Sequence, residues 1–150
     1  MVRDDVKTRR CVDGRGDSNA LSGELPIATH ADARAARARI VESVRANASA
    51  DSDLVATELI VSELVGNALR HGTGRASLSL EWAGVRAILH VRNDGAPFAV
   101  PESLPLEPSS ESGRGLFLVQ TISEELQVEC ADGGNHVRVV LPVRRAEASD

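Results

Sequence analysis

Apolar residues recur at helical spacing in two consecutive stretches of the first half of the chain. Residues 31–48 carry apolar side chains on one side, and the Thr29–Asp32 pair ahead of them is typical of a helix N-cap. Residues 53–71 are apolar over much of the helix circumference, which indicates burial on more than one side. Upstream, residues 25–27 fit a short edge strand. The pattern therefore predicts a short strand followed by two helices.

Strict alternation of apolar and polar residues replaces the helical spacing after this point. Every second residue is apolar in the runs 76–82 and 85–92, and Ile88 stands in the otherwise polar row of the second run. With the turn between the runs, this pattern predicts a half-buried hairpin whose inner row includes Val85. Asn93 continues the apolar row of the second run, so we expect its side chain to face the helices. Asp94, one residue later, is expected to point away from them.

Neither periodicity is present in residues 95–112, which contain four of the six prolines. A long irregular loop in a compact domain is usually a lid or a binding loop. Residues 114–125 then predict a third helix, and residues 126–131 and 136–143 predict a final hairpin. This order predicts an α+β fold, a two-layer α/β sandwich with three helices on one face of a mostly antiparallel sheet of four or five strands.

Length and composition fit a single domain. The 150 residues divide into a mobile N-terminal tail at 1–22, one domain at 23–144 and a C-terminal tail at 145–150. The two cysteines form neither a disulfide framework nor a metal-ligand cluster. No apolar run approaches the roughly 20 residues of a membrane span. We therefore expect a cytoplasmic protein without a membrane partner.

Charge argues against nucleic acid as the main partner. The net charge is −5, and the chain has one Trp, two Phe and no Tyr for stacking on bases. Four arginines, Arg34, Arg37, Arg39 and Arg45, lie on the first predicted helix. They form either a nucleic-acid patch or a solvated helix face, and we favour the solvated face.

Three polar residues interrupt the apolar surface of the second helix. At about 100° per residue, Asn67 and Arg70 lie roughly 40° and 20° to either side of Glu63. Burying such groups costs free energy unless they have partners, and a ligand is one partner. An amide oxygen suits a hard cation, a carboxylate accepts a proton, and a guanidinium pairs with phosphate. The alternative is an exposed helix edge.

Two glycine-bearing segments add to this stripe. The segment 113–116 lies where the lid ends and the third helix begins, and helix N-termini bind phosphate through unpaired N–H groups. The segment 93–97 ends the second hairpin strand, where a polar side chain on the inner row could read a purine edge. The alternatives are a plain loop-to-helix turn and a simple Asn-Asp-Gly turn.

Together these segments resemble the GHKL nucleotide-binding superfamily, whose members share the Bergerat fold. Residues 63–72 look like its N box, 93–97 occupy the place of its first glycine box and 113–116 look like its second. The resemblance covers about residues 25–142 and implies ATP and Mg²⁺ as cofactors. The implied cofactor-binding residues are Asn67, Arg70, His71, Asn93, Gly95, Gly113, Arg114, Gly115 and Leu116. It also implies Asn67 as the metal ligand and Glu63 as general base.

Within the superfamily, residues 115–119 and 133–135 are similar to the anti-sigma-factor serine kinases. That resemblance implies a protein that binds a sigma factor and phosphorylates a serine on an anti-anti-sigma, STAS-type partner. A homodimer is possible as well. The first glycine box normally begins with Asp, which accepts a hydrogen bond from the adenine amino group, whereas this chain has Asn93, and Pro97 replaces the last glycine. Losing a charge-assisted bond weakens affinity roughly tenfold.

Two other functions compete with this hypothesis. One is a non-catalytic module that binds a regulator with a degenerate ATP site, which Asn93 and Pro97 motivate. The other is the catalytic half of a split histidine kinase, which ranks lower because no histidine of the chain lies on a long dimerising hairpin.

Overall fold

A computed structural model of the chain describes residues 24–71, 75–94, 114–131 and 134–147. Within these residues the chain forms three helices and five strands, which confirms the α+β prediction. The elements are β1 (Leu25–Ile27), α1 (His30–Asn47), α2 (Leu54–His71), β2 (Ala76–Ala83), β3 (Arg86–Asn93), α3 (Arg114–Ile122), β4 (Glu125–Ala131) and β5 (Gly134–Arg144).

The five strands form one sheet in the order β1-β2-β3-β5-β4, and each neighbouring pair is antiparallel. β3 lies at the centre and pairs with β5, although β4 precedes β5 in the chain. The β3–β5 register shifts between Arg86 and Ile88. Because the two strands are antiparallel, the last residue of β3 and the first residues of β5 lie side by side at the same end of the sheet.

A single hydrophobic core lies between the helices and one face of the sheet. Alternate strand residues supply the sheet side of this layer, and α2 supplies most of the helix side, as its broad apolar surface predicts. The residues of this core with no measurable exposure are Val44, Ile60, Val61, Leu78, Ala87, Leu89, Val119, Leu126, Val139 and Leu141.

Side-chain caps fix the starts of the first two helices. The Thr29 hydroxyl accepts a 3.1 Å bond from the Asp32 N–H, and the Asp32 carboxylate accepts one of 3.2 Å from the Thr29 N–H, forming the expected capping box. Asp53 accepts a 3.0 Å bond from the Ala56 N–H. Because Asp53 caps α2, the helix begins at Leu54, one residue later than the periodicity predicts.

The third helix is shorter than predicted. The Ser123 N–H still bonds to the Val119 carbonyl at 2.9 Å, but the Glu124 N–H bonds to the Val140 carbonyl at 3.0 Å. The chain thus leaves the helix for β4 after Ile122 rather than near residue 125.

Two residues of the hairpin depart from the predicted alternation. Val85 is 55% exposed because Gly84, with φ 62°, turns the chain before β3 begins, so its placement on the inner row is wrong. Ile88 lies in the polar row but is only 2% exposed, and its register partner Val140 is equally buried. The face of the sheet opposite the core, here called the outer face, therefore has an apolar patch of its own.

Two histidines stack beside this patch on the outer face. The rings of His90 and His136 have centroids 5.0 Å apart, and His90 Nδ1 lies 2.8 Å from His136 Nε2. The other ring nitrogens lie 3.6 Å from Glu81 and 3.5 Å from Glu129, respectively. Burial, followed by the positive charge of nearby arginine, lowers the pKa of His136 to about 4. Burial also lowers the pKa of His90.

Several predictions lie outside the described residues. They concern the tail at 1–22, the lid at 95–112 and the glycines that follow α2 at 72–74. The division of the chain into one domain and two tails stays a prediction.

Candidate nucleotide-binding site

One cleft between the helices and the sheet brings together three of the predicted site residues, Asn67, Asn93 and Leu116. Asn67 reaches it from α2 and Asn93 from the end of β3, and both side chains are buried, with 8% and 7% exposure. The remaining described residues that line the cleft are Leu64, Ala68, Val91 and Val137. Its enclosed volume is about 10 Å³, which leaves room for a single water molecule. A purine would have to widen it.

The polar stripe of α2 runs from this cleft outwards. Glu63 is half-buried, Asn67 is buried and Arg70 is exposed. Arg70 Nη2 donates a hydrogen bond of 3.1 Å to Asn67 Oδ1. The alternative of an exposed helix edge does not fit, because two of the three side chains turn towards the protein.

The first turn of α3 packs directly against Glu63. A Cβ atom built on Gly115 would overlap the Glu63 carboxylate and lie 3.3 Å from its Cδ. The approach therefore requires glycine at this position. It also sets the positive end of the α3 dipole beside a carboxylate, which is a favourable arrangement.

Leu116, the next residue, is 4% exposed and lines the cleft with its side chain. The sequence assigned it only a backbone role in phosphate binding. Its side chain also supplies an apolar wall opposite Val91 and Val137. Such a wall suits the flat, weakly polar face of a base.

The phase of β3 correctly predicts the orientation at its end. Asn93 lines the cleft, whereas Asp94 does not. Asp94 lines an open depression with Arg75 and Arg92, which Asn93 also borders. The Asp94 N–H bonds to the Arg75 carbonyl at 2.9 Å. Among the described residues that line the cleft, none is charged.

Asn135 is a site neighbour that the sequence did not single out. It pairs in register with Asn93 across β3 and β5 and is only 3% exposed. Gly134 allows this close approach, because a Cβ there would lie 2.6 Å from the Asn93 carbonyl oxygen. The signal was available, since Asn135 shares the phase of Val137 and Val139.

The remaining predicted site residues cannot be placed in this arrangement. Gly95 and Gly113 lie outside the described residues. His71 ends α2 and Arg114 begins α3, but the described part of each is its backbone.

Two wider features bear on what the site can hold. In the described ranges, no group of three or more His, Cys, Asp or Glu side chains is arranged to hold a metal ion. A cation here would rely on an amide oxygen such as that of Asn67 together with ligand oxygens, as Mg²⁺ commonly does. No helix of the described chain is both long and apolar enough to cross a bilayer.

Two solved structures that are similar to this chain come from histidine kinases. The mycobacterial sensor histidine kinase MprB is 16% identical, with a TM-score of 0.51 over 81% of this chain and 99% of that one. A nucleotide-free catalytic domain of histidine kinase ThkA is 17% identical, with a TM-score of 0.50 over 80% and 95% of the two chains. At these identities the similarity establishes the fold alone.

Sequence comparison identifies the family. No characterised protein sequence gives a significant match. The family model described as the histidine kinase-like ATPase domain, however, matches residues 27–141, which include α2, the cleft and the first turn of α3. The chain therefore belongs to the histidine kinase-like ATPase family of the GHKL superfamily, a family of kinase-type, ATP-binding domains.

Proposed function

We propose that this chain binds ATP with Mg²⁺ and phosphorylates a serine of an anti-anti-sigma, STAS-type partner in the cytoplasm, and that it also binds a sigma factor. One observation carries the proposal: Glu63 and Asn67 lie one turn apart on α2, beside the first turn of α3 and a cleft that Asn93 shares. An acid, a neutral oxygen ligand and a helix N-terminus are the groups that phosphoryl transfer needs close together.

Each of these groups has a distinct task in the proposed reaction. Bound ATP would supply the phosphoryl group, and Mg²⁺ would reduce the negative charge around it. Asn67 Oδ1 holds the cation, and Arg70, at the exposed end of the stripe, contacts phosphate. Glu63 accepts the proton of the seryl hydroxyl as the new O–P bond forms and the bond to the departing ADP breaks.

The choice of partner rests on sequence alone. Residues 115–119 and 133–135 are similar to the anti-sigma-factor serine kinases, and the half-buried Glu63 carboxylate can take a proton from a hydroxyl. Phosphorylating a separate protein also suits a site in which the described lining of the cleft contains no histidine.

The test combines ATP binding with phosphate transfer. Purified chain is mixed with radiolabelled ATP, Mg²⁺ and candidate STAS-type proteins of the same organism. Glu63→Gln is expected to reduce transfer at least about 100-fold while ATP affinity, measured by calorimetry, is kept. Glu58→Gln is the matched control, because Glu58 lies on the same helix in an exposed ion pair with Arg45, away from the cleft.

Two results would overturn the proposal. One is wild-type transfer by Glu63→Gln, which removes the role of Glu63. The other is the lack of transfer to any cognate STAS-type partner by a wild-type chain that binds ATP.

A non-catalytic binding module is the second candidate. The narrow cleft and the Arg70–Asn67 hydrogen bond favour it, because both must change before a nucleotide and a cation can enter. A pull-down distinguishes the two functions. Equal recovery of a sigma factor by nucleotide-free wild type and by Glu63→Ala, without phosphate transfer, would favour the module.

A further inference from the structure

The polar side chain that β3 contributes to the cleft is an amide, and its register partner on β5 is an amide as well. Asn93 and Asn135 are direct neighbours across β3 and β5, and both are buried. They continue the rows of Val91 and Val137, which are also register partners and face the helices. Because side chains two residues apart on a strand share a face, both amides point into the helix-facing layer.

The next residue along the chain after Asn93, Asp94, has a carboxylate, but it does not line the cleft. Asp94 lines an open depression with Arg75 and Arg92, which Asn93 also borders, and its Oδ1 lies near Gly134. Asn93 is thus the polar side chain of β3 that lines the cleft. Its side chain is buried, and a buried amide needs hydrogen-bond partners, which a ligand can supply.

An amide and a carboxylate recognise different purine edges. An ionised carboxylate only accepts hydrogen bonds, so it favours a 6-amino group and opposes a 6-oxo group. An amide both accepts and donates. It can accept from the 6-amino group of adenine while donating to N1, or, after rotating by half a turn, donate to a 6-oxo group while accepting from N1–H.

We propose that Asn93 is a specificity-determining residue that lets this site accept 6-oxopurine nucleotides alongside ATP. The inference rests on the proposed function, because it requires that the cleft bind a purine nucleotide. The described residues that line the cleft offer no charge to distinguish the two edges.

Inosine triphosphate is the sharpest probe of this inference. Its base, hypoxanthine, differs from adenine only in having a 6-oxo group in place of the 6-amino group and a proton on N1. Guanine has the same two differences and, in addition, a 2-amino group that makes it larger. In a cleft this narrow, weak binding of GTP could come from the size of the 2-amino group and not from the hydrogen bonds at position 6. GTP therefore serves as a secondary ligand.

The experiment measures the dissociation constants of ATP and ITP by calorimetry, with Mg²⁺ present, for the full chain. In wild type we expect the two constants to agree within about fivefold. In Asn93→Asp we expect ATP to bind at least about 30-fold more tightly than ITP. The reason is that the 6-oxo oxygen and the carboxylate are both hydrogen-bond acceptors, so neither can donate to the other. Asp94→Asn is the matched control, and its ratio should equal that of wild type.

Each outcome decides the matter. A wild-type preference for ATP over ITP of about 30-fold or more overturns the inference and leaves the proposed function intact. An unchanged ratio in Asn93→Asp removes the assignment to Asn93. Failure of wild type to bind either nucleotide refutes the proposed function itself. If Asn93→Asp does not fold by circular dichroism, the wild-type ratio still decides.

Discussion

Arg70 Nη2 donates a 3.1 Å hydrogen bond to Asn67 Oδ1, the oxygen assigned to Mg²⁺ in the proposed complex. A guanidinium and a divalent cation repel each other, so they cannot share this oxygen at close range. Binding of Mg²⁺ to this oxygen would therefore require Arg70 to leave Asn67. The same movement would free the guanidinium for phosphate and so would couple the two binding events.

Removing the amide at position 67 should uncouple ATP binding from magnesium. In wild type we expect Mg²⁺ to increase ATP affinity at least about tenfold, and in Asn67→Ala by less than about twofold. Calorimetry with and without Mg²⁺ gives both ratios. Ser62→Ala on the same helix is the control, because the Ser62 hydroxyl bonds to the Glu58 carbonyl and takes no part in the cleft. A full magnesium effect in Asn67→Ala would assign the cation to other ligands.

Gly115→Ala should separate activity from stability. The new methyl group overlaps the end of the flexible Glu63 side chain, which can move aside, and alanine is favoured over glycine in helices by about 0.5–1 kcal/mol. We therefore expect little change in melting temperature but a loss of phosphate transfer of about 10- to 100-fold. Gly66→Ala on α2 is the control, because its methyl group would meet only Arg70 Nη1, at 3.9 Å. Normal transfer by Gly115→Ala would mean that the position of Glu63 is unimportant.

Gly134→Ala should behave in the opposite way. Its methyl group would lie 2.6 Å from the Asn93 carbonyl oxygen. The backbone of two paired inner strands cannot move aside without a cost in free energy. We expect a loss of about 1–3 kcal/mol in the free energy of unfolding, measured in urea. Gly84→Ala has open space around it, and only the strain of its positive φ should appear, about 1–2 kcal/mol. ATP affinity should fall only in Gly134→Ala, because only that change displaces Asn93.

Local patterns predict most of the fold, because helical spacing and alternation record which side of each element is buried. They predict the inward orientation of Asn93 and the capping box at Thr29 for the same reason. The pattern misplaces Val85, since alternation was counted through a turn, and it leaves Ile88 on the solvent side. Both errors concern residues whose surroundings depend on how the chain turns and on which side chains cover the outer face.

Contacts between distant elements account for what the sequence does not predict about the site. Asn135 becomes a neighbour of Asn93 only because β5, and not β4, pairs with β3. The overlap between Gly115 and Glu63 likewise depends on the packing distance between α2 and α3. The phase of a strand gives the face on which Asn135 lies but not its partner, and neither pairing can be read from a local pattern, since each joins residues far apart in the chain.

The stacked histidines on the outer face predict how stability changes with pH. Both lie among charged neighbours. Glu81 opposes the depression of the His90 pKa, whereas Arg92 and Arg138 add to the depression at both rings. Desolvation is the largest cause of the depression for each ring. The folded protein therefore holds the pair neutral under conditions in which an unfolded chain would protonate it.

Acidification should accordingly destabilise the fold between pH 6.5 and about 4. The pKa of His136 is about 4 when folded, against 6.5 for a free side chain, so within this window the unfolded chain binds more protons. The stability due to the neutral ring is complete above pH 6.5 and is lost as the pH falls towards 4. Partial solvent screening limits the loss to the order of 1–3 kcal/mol. Urea unfolding at several pH values measures it, and His136→Gln should flatten the profile. An equally steep profile in that variant would place the responsible groups elsewhere.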